Sequence, residues 1–145
     1  MFKRLLIATD GSALAGKAVA TGLTLAKQLG AEVVAVMATE PWTAMTNGEG
    51  LAFDFPIQEY EMDRSEHAKR ILADVRKNAE ERGVLCETVH SIDFPSEGIL
   101  ATAKAKDCDL IVMASHGRRG ISRLLLGSQA TRVVTLSPIP VLVCR

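Results

Sequence analysis

The sequence predicts an α/β protein built on an open five-stranded parallel sheet, with helices on both faces. Short runs of continuously apolar residues alternate along the chain with segments whose apolar residues recur at helical spacing. Strands that are apolar throughout are typical of a parallel sheet buried on both faces, and parallel neighbours need crossover connections. The length of 145 residues fits one domain, which we assign to residues 1–145.

The first half of the chain supplies two strands and one helix. A strand is predicted over residues 4–9, and it ends at the turn that begins with Asp10. The next segment carries a helical apolar stripe, and Gly30 follows it as a stop signal. A second strand is predicted over residues 32–38. Between Glu40 and Ile57 there is no clean period, and prolines and glycines interrupt the chain, so we predict a long loop.

The second half alternates in the same way. The predicted elements are, in order, a long amphipathic helix ending at Gly83, a strand over 84–90, a short helix opened by Pro95, a strand over 109–113, a helix opened by Gly127 and Ser128 that ends near Leu136, and a strand from Pro140 to Cys144. A sheet of five such strands commonly winds both ways from its first strand, which gives the order 3-2-1-4-5. Ligands of these sheets bind where the winding reverses, here beside residues 8–10 and 113–115.

Composition excludes several classes of function. The 17 Lys and Arg residues balance the 17 Asp and Glu residues, so nothing in the charge favours nucleic acid or a membrane surface as a partner. No segment reaches the ~18 consecutive apolar residues of a spanning helix. Cys86, Cys108 and Cys144 are far apart and form no metal-binding pattern. We therefore expect a cytoplasmic protein with reduced thiols and no metal site of its own.

The stretch from Met113 to Ser128 is the most informative for function. It leaves a strand, turns on glycines and ends at a helix start, where backbone amides and the positive end of the helix dipole favour an anion. Ser128 either caps this helix or donates to a phosphate, and an alternative interpretation of the glycines is that they are turn residues only. Three arginines in the loop either balance phosphate charge or form a solvated face: Arg118, Arg119 and Arg123.

This stretch resembles the nucleotide loop of the ATP-binding universal stress proteins. In that family a glycine, two residues, a second glycine and nine residues precede Gly-Ser or Gly-Thr. The same spacing is present here as Ala114, Gly117 and Gly127-Ser128, and the likeness extends to residues 7–12, 109–113 and 139–143. Alanine replaces the first glycine of the family, so the backbone conformation at Ala114 decides whether the substitution strains the loop.

The resemblance implies a binding site for ATP or AMP. It places Asp10 at the ribose hydroxyls, and it places the phosphates near backbone and hydroxyl donors of the loop, with Mg²⁺ reached only through the phosphates. The residues expected around adenine and ribose are Ala8, Thr9, Ala38 and Met113. Those expected in the phosphate loop are Ala114, Ser115, His116, Gly117, Gly127 and Ser128. The resemblance and the apolar edge strand also imply a homodimer formed through Pro140 to Cys144.

Rival interpretations stay open at this point. Gly11 to Ala18 nearly matches a Walker A loop, but Ala18 replaces the Ser/Thr that would ligate Mg²⁺, and the same residues fit the first helix. We expect a non-enzymatic stress or signalling module. The alternatives are a nucleotide-free adaptor that acts through protein contacts, and a slow ATPase or autokinase with Ser128 as the acceptor.

Overall fold

The computed structural model of the chain describes residues 1–42, 57–117 and 125–145. Its elements, in chain order, are β1 (Arg4–Ala8), α1 (Ala13–Leu29), β2 (Glu32–Thr39), α2 (Ile57–Glu81), β3 (Cys86–Ile92), α3 (Pro95–Ala105), β4 (Leu110–Ala114), α4 (Ser128–Leu136) and β5 (Val141–Cys144). All strand pairs are parallel, and the sheet order is β3-β2-β1-β4-β5. The predicted fold class and strand order are confirmed: this is a Rossmann-like, doubly wound sheet.

Two apolar cores cover the two faces of the sheet. Leu5 and Ile7 of β1 pack with α1 and α2, whereas Leu6 and Ala8 pack with α3 and α4. Side chains alternate between the faces of a strand, so a strand that is buried on both sides must be apolar at every position. This requirement explains the continuous apolar runs from which the strands were predicted.

The turn into β3 corrects the predicted start of that strand. Gly83 has φ +71°, and the amide of Val84 donates to the carbonyl of Ala79 over 2.9 Å. This bond closes the last turn of α2, so Val84 belongs to the helix ending. The strand begins at Cys86 rather than at Val84, and it continues to Ile92, two residues beyond the predicted end.

The turn after β1 leads directly into α1. The Ser12 hydroxyl accepts a 3.2 Å hydrogen bond from the amide of Ala15, which makes Ser12 the N-cap. Most of the Walker-like pattern therefore lies inside the helix, with Ala18 buried in the core and Lys17 exposed. Such a helix leaves no loop in which backbone amides could surround a phosphate, so the helical interpretation of this segment is correct.

β3 and β5 are the outer strands of the sheet. Residues 43–56, which form most of the predicted loop between Glu40 and Ile57, lie outside the described residues. Among the helices of the described ranges, none combines the length and apolarity needed to cross a membrane.

Candidate functional site

The turn after β1 fixes the orientation of the Asp10 carboxylate. The amide of Thr9 donates to Val36 of β2 over 3.0 Å, and the Thr9 hydroxyl accepts a 3.2 Å bond from the amide of Gly11. Asp10 Oδ1 accepts a 2.9 Å bond from the amide of Ser12. These bonds close a tight turn in which Gly11 has φ +79°, a conformation that favours glycine.

Gly117 brings the loop after β4 against this turn. A Cβ atom built on Gly117 would lie 3.1 Å from Asp10 Oδ2. A side chain there would press on the carboxylate, which would have to shift by a few tenths of an ångström. The two loops at the carboxyl ends of β1 and β4 therefore meet at Asp10, where the winding of the sheet reverses.

Gly127 packs against the base of the same loop. Its amide donates a 2.7 Å hydrogen bond to the carbonyl of Ser115. A Cβ on Gly127 would lie 3.0 Å from that carbonyl oxygen and 3.3 Å from the Cα of His116, the neighbour of Gly117. The start of α4 therefore lies in the same region as the contact between Gly117 and Asp10.

The first turn of α4 presents unpaired donors. Gly127 is the N-cap, with φ −67° and no side chain to cap the helix, so the option that Ser128 caps it is wrong: Ser128 is the first helical residue. The first hydrogen bond of this helix runs from the Thr131 amide to the Gly127 carbonyl over 3.0 Å. The amides of residues 128–130 precede it, and no acceptor for them is found in the described ranges.

Ser115 and His116 are held by the sheet and by each other. Ser115 is only 2% exposed, its amide donates to the Cys144 carbonyl over 2.7 Å, and its hydroxyl lies 3.0 Å from His116 Nδ1. The amide of Ser115 is therefore not available to a ligand. His116 Nε2 is buried and finds no hydrogen-bond partner among the residues described. Most buried polar atoms have a hydrogen-bond partner, so His116 Nε2 is an exception among the described side chains.

Three side chains predicted at the adenine share one face of the sheet. Ala8 and Met113 belong to the core beneath α3 and α4, and Ala38 is half-buried on the same side. A Cβ built on Gly98 of α3 would lie 3.1 Å from the Cβ of Ala38, so α3 passes close to this strand end. The three residues lie near the carboxyl ends of three adjacent strands.

The alanine at position 114 ends strand β4 without backbone strain. Ala114 is the last residue of β4 and pairs with Cys144 of β5. In the described part of the chain, Asp107 is the only non-glycine residue with positive φ. Position 114 therefore does not demand glycine for its backbone conformation.

The sequence did not predict a polar cluster that lies between α3 and α4. Gln129 Oε1 accepts a 3.0 Å bond from the Ser96 amide, and Arg132 donates to the Ser96 hydroxyl over 3.1 Å and to Glu97 over 2.8 Å. These contacts fix the first turns of α4 onto α3. The partners lie more than thirty residues apart in the chain, and only the opening of α3 at Pro95 hinted that this helix end exists.

Some predicted features fall outside the described ranges, including the loop residues Arg118, Arg119, Gly120 and Arg123. Within those ranges, no group of three or more His, Cys, Asp or Glu residues is arranged to hold a metal ion. The described part of the site consists of the Asp10 carboxylate, the buried Nε2 atom of His116 and the unpaired amides at the start of α4.

Comparison with known proteins gives the family. The sequence profile of the Universal stress protein family matches residues 1–145. The chain belongs to the universal stress protein family. It is 32% identical to universal stress protein YxiE of Bacillus subtilis, and the match covers 100% of both chains.

Solved structures of other universal stress proteins share the fold. The UspA structure from Lactobacillus plantarum has a TM-score of 0.87 at 23% identity and covers 99% of this chain and 98% of its own. A universal stress protein in complex with cAMP has a TM-score of 0.75 at 21% identity, with 99% and 97% covered. One from Archaeoglobus fulgidus in complex with dAMP has a TM-score of 0.65 at 20% identity, with 100% and 98% covered.

Proposed function

We propose that this universal stress protein binds an adenine nucleotide, ATP or AMP, between the Asp10 turn and the start of α4. The observation that carries the proposal is the hydrogen bond between Gly127 and Ser115. This bond holds the unpaired amides of α4 in the region where Gly117 contacts Asp10. The cAMP and dAMP complexes of related proteins with this fold support an adenine nucleotide as the ligand class.

Each part of the nucleotide has a candidate partner in the chain. The amides of residues 128–130 and the Ser128 hydroxyl would donate to phosphate oxygens, because a helix start concentrates donors and positive potential. His116 Nε2 would gain the hydrogen-bond partner that it lacks. Asp10 Oδ2 would accept from the ribose hydroxyls. Mg²⁺ would reach the site only through the phosphates, since no metal cluster occurs among the described side chains.

Calorimetric titration with ATP and with AMP tests the proposal. Asp10→Ala removes the acceptor for the ribose and should weaken binding by about tenfold or more, given ~1.5–3 kcal/mol for a hydrogen bond to a charged group. Lys17→Ala is the matched control, because Lys17 is exposed on α1 and lies outside the site. This variant should bind ATP and AMP with the affinity of the wild type.

The absence of any heat with either nucleotide at millimolar concentration would contradict the proposal and favour the nucleotide-free adaptor. Mass spectrometry of the denatured protein adds an independent readout, since a nucleotide carried through purification would be released on unfolding. Neither measurement depends on catalysis.

We propose further that the site binds its nucleotide without turning it over. The Ser115 hydroxyl pairs with His116 Nδ1, but Ser115 is buried, and the other ring nitrogen of His116 has no carboxylate partner in the described residues. The described residues therefore contain no serine nucleophile activated by a base and a carboxylate. Multiple turnovers of ATP above the rate in buffer would contradict this proposal.

We also propose a homodimer formed through β5, and a cytoplasmic location. β5 is an edge strand with Leu142 partly exposed at its centre, and Val134 and Leu136 of the neighbouring α4 are exposed as well. An apolar edge strand favours pairing with a copy of itself. The three unpaired cysteines support a reducing compartment.

A further inference from the structure

We infer that the open edge of β3 binds an extended acidic segment of a partner protein, which adds to the sheet as a further strand. This surface is separate from the proposed nucleotide site and does not depend on it. The inference rests on three features of the β3 edge: its unpaired backbone groups, the groove that α2 forms beside it, and the charge of that groove.

The backbone of β3 offers alternate groups to a new strand. The Leu85 carbonyl accepts from the Val33 amide over 2.8 Å, and the Asp93 amide donates to the Thr39 carbonyl over 3.0 Å. In a parallel pair of strands, every second residue directs both its amide and its carbonyl to the same neighbouring strand. Because Leu85 and Asp93 bond to β2, the odd-numbered residues of this strand face β2. The even-numbered residues direct their amides and carbonyls to the open edge, where no described element pairs with them: Cys86, Thr88, His90 and Ile92.

A groove of about 500 Å³ runs along this edge between α2 and β3. Thr88 and His90 line it from the strand, and His90 Nε2 is hydrogen-bonded to the Thr39 hydroxyl over 2.7 Å. One face of α2 forms the other wall, with residues spaced three and four apart along the helix. Its polar members are Ser65, Lys69, Arg76, Lys77 and Glu80.

The charge of the groove selects an acidic occupant. Among the residues that line the groove, Lys69, Arg76 and Lys77 are cationic and Glu80 carries the one carboxylate. None of these three cations forms an ion pair within the described residues. Alternate side chains of an extended segment point to one side, so acidic residues at every second position would all face the cations.

A second copy of this chain fits the edge poorly. Pairing of two identical edges across a twofold axis brings like residues together, so the cations of one groove would approach the cations of the other. Like charges placed together are unfavourable. The observations therefore favour a different polypeptide with complementary charge. Leu85 and Ile92, exposed at the two ends of β3, offer apolar contacts to it.

The test uses a fluorescent peptide of the same length as β3, 7 residues, in which glutamate alternates with valine. We expect saturable binding in an anisotropy titration, weakened by added salt. Amide hydrogen exchange should slow at Thr88 and His90, whose donors face the open edge. Two control peptides should fail to bind: one with lysine in place of glutamate, and one with a central proline that cannot complete the ladder.

Paired charge reversals locate the binding surface. The double variant Lys69→Glu with Arg76→Glu should weaken peptide binding by about tenfold or more. The double variant Lys17→Glu with Lys27→Glu is the control, because it makes the same charge change at exposed positions of α1. All four residues are exposed on helices, so both variants should fold, which circular dichroism verifies.

Three results would overturn the inference. The first is an equal loss of binding in both double variants, since this would mean that net charge alone attracts the peptide. The second is binding without slowed exchange at Thr88 and His90. The third is an RNA oligonucleotide that binds more tightly than the peptide and leaves those amides unprotected, which would indicate a surface for polyanions in general.

Discussion

The amide of Gly127 and the carbonyl of Ser115 form a 2.7 Å hydrogen bond that joins the start of α4 to the end of β4. The amide of Ser115 in turn donates to the Cys144 carbonyl of β5 over 2.7 Å. A helix start, a central strand and an edge strand therefore share one short chain of backbone bonds. The proposed phosphate donors are thus positioned by the sheet itself rather than by the loop that connects them.

The two loop glycines should respond differently to alanine. At Gly127 the new Cβ would meet a backbone oxygen at 3.0 Å, which cannot move without disturbing the sheet, so Gly127→Ala should destabilise the fold by roughly 1–3 kcal/mol. At Gly117 the neighbour is a side-chain carboxylate oxygen at 3.1 Å, which needs to shift by only a few tenths of an ångström. Gly117→Ala should therefore leave stability nearly unchanged and weaken nucleotide binding by displacing Asp10.

Denaturant unfolding and calorimetric titration of both variants separate these effects. A Gly127→Ala protein as stable as the wild type would contradict the close contact with Ser115. A Gly117→Ala protein with unchanged affinity for ATP and AMP would place the ribose away from Asp10.

The two glycines inside α1 provide a second matched pair. A Cβ on Gly16 would have no neighbour within 4 Å, so Gly16→Ala should raise the free energy of unfolding by up to about 1 kcal/mol through better helix propensity. A Cβ on Gly22 would lie 2.6 Å from Ile7 Cδ1, so Gly22→Ala should lower that free energy by roughly 1–3 kcal/mol through overpacking. Urea unfolding of the two variants checks both signs, and a stabilised Gly22→Ala would contradict the tight packing of α1 on β1.

Local pattern was sufficient to predict the fold but not all of the site. The strands were visible because burial on both faces requires apolar residues at every position, as at Leu5 and Leu6. The start of β3 was misplaced because Val84 is apolar and buried, yet its amide closes α2. Apolarity alone does not distinguish these two roles.

The predicted site residues converge because parallel strands end at one edge, and Asp10 and Gly117 follow two adjacent strands. The bond between Ser96 and Gln129 could not be predicted in this way. It depends on how α3 and α4 pack together, and neither residue type carries a signal for a partner so distant in the chain. Whether the predicted residues bind nucleotide remains a prediction.

His90 should make the stability of the protein depend on pH. Burial lowers the pKa of His90 below its ordinary value of 6.5, so the unfolded chain binds a proton at a pH where the folded protein does not. The stabilisation is complete above pH 6.5 and is lost as the pH falls through the lower pKa of the folded state. Denaturant unfolding at pH values on both sides of 6.5 should show a larger loss on acidification for the wild type than for His90→Gln. Equal losses would mean that burial of His90 does not disfavour its charged form.

The proposed dimer through β5 has a backbone test. The carbonyls of Pro140 and Cys144 accept from the amides of Ile111 in β4 and of Ser115 just after it. The even-numbered residues of β5 therefore bond to this neighbour, and Val143 directs its amide to the open edge. Val143→Pro removes that outward donor and leaves the ladder to β4 intact. Light scattering should give the wild type twice the 15.6 kDa chain mass and the variant the single chain mass.

Thr88→Pro is the control for this experiment, because it removes an outward amide from β3 at the opposite edge of the sheet and should leave the dimer unchanged. A wild-type protein that is monomeric at all concentrations would contradict the proposed dimer. A Val143→Pro variant that stays dimeric would show that the copies associate through another surface. In that case the exposed Val134 and Leu136 of α4 are the next residues to substitute, since they present apolar side chains beside β5 without using its backbone.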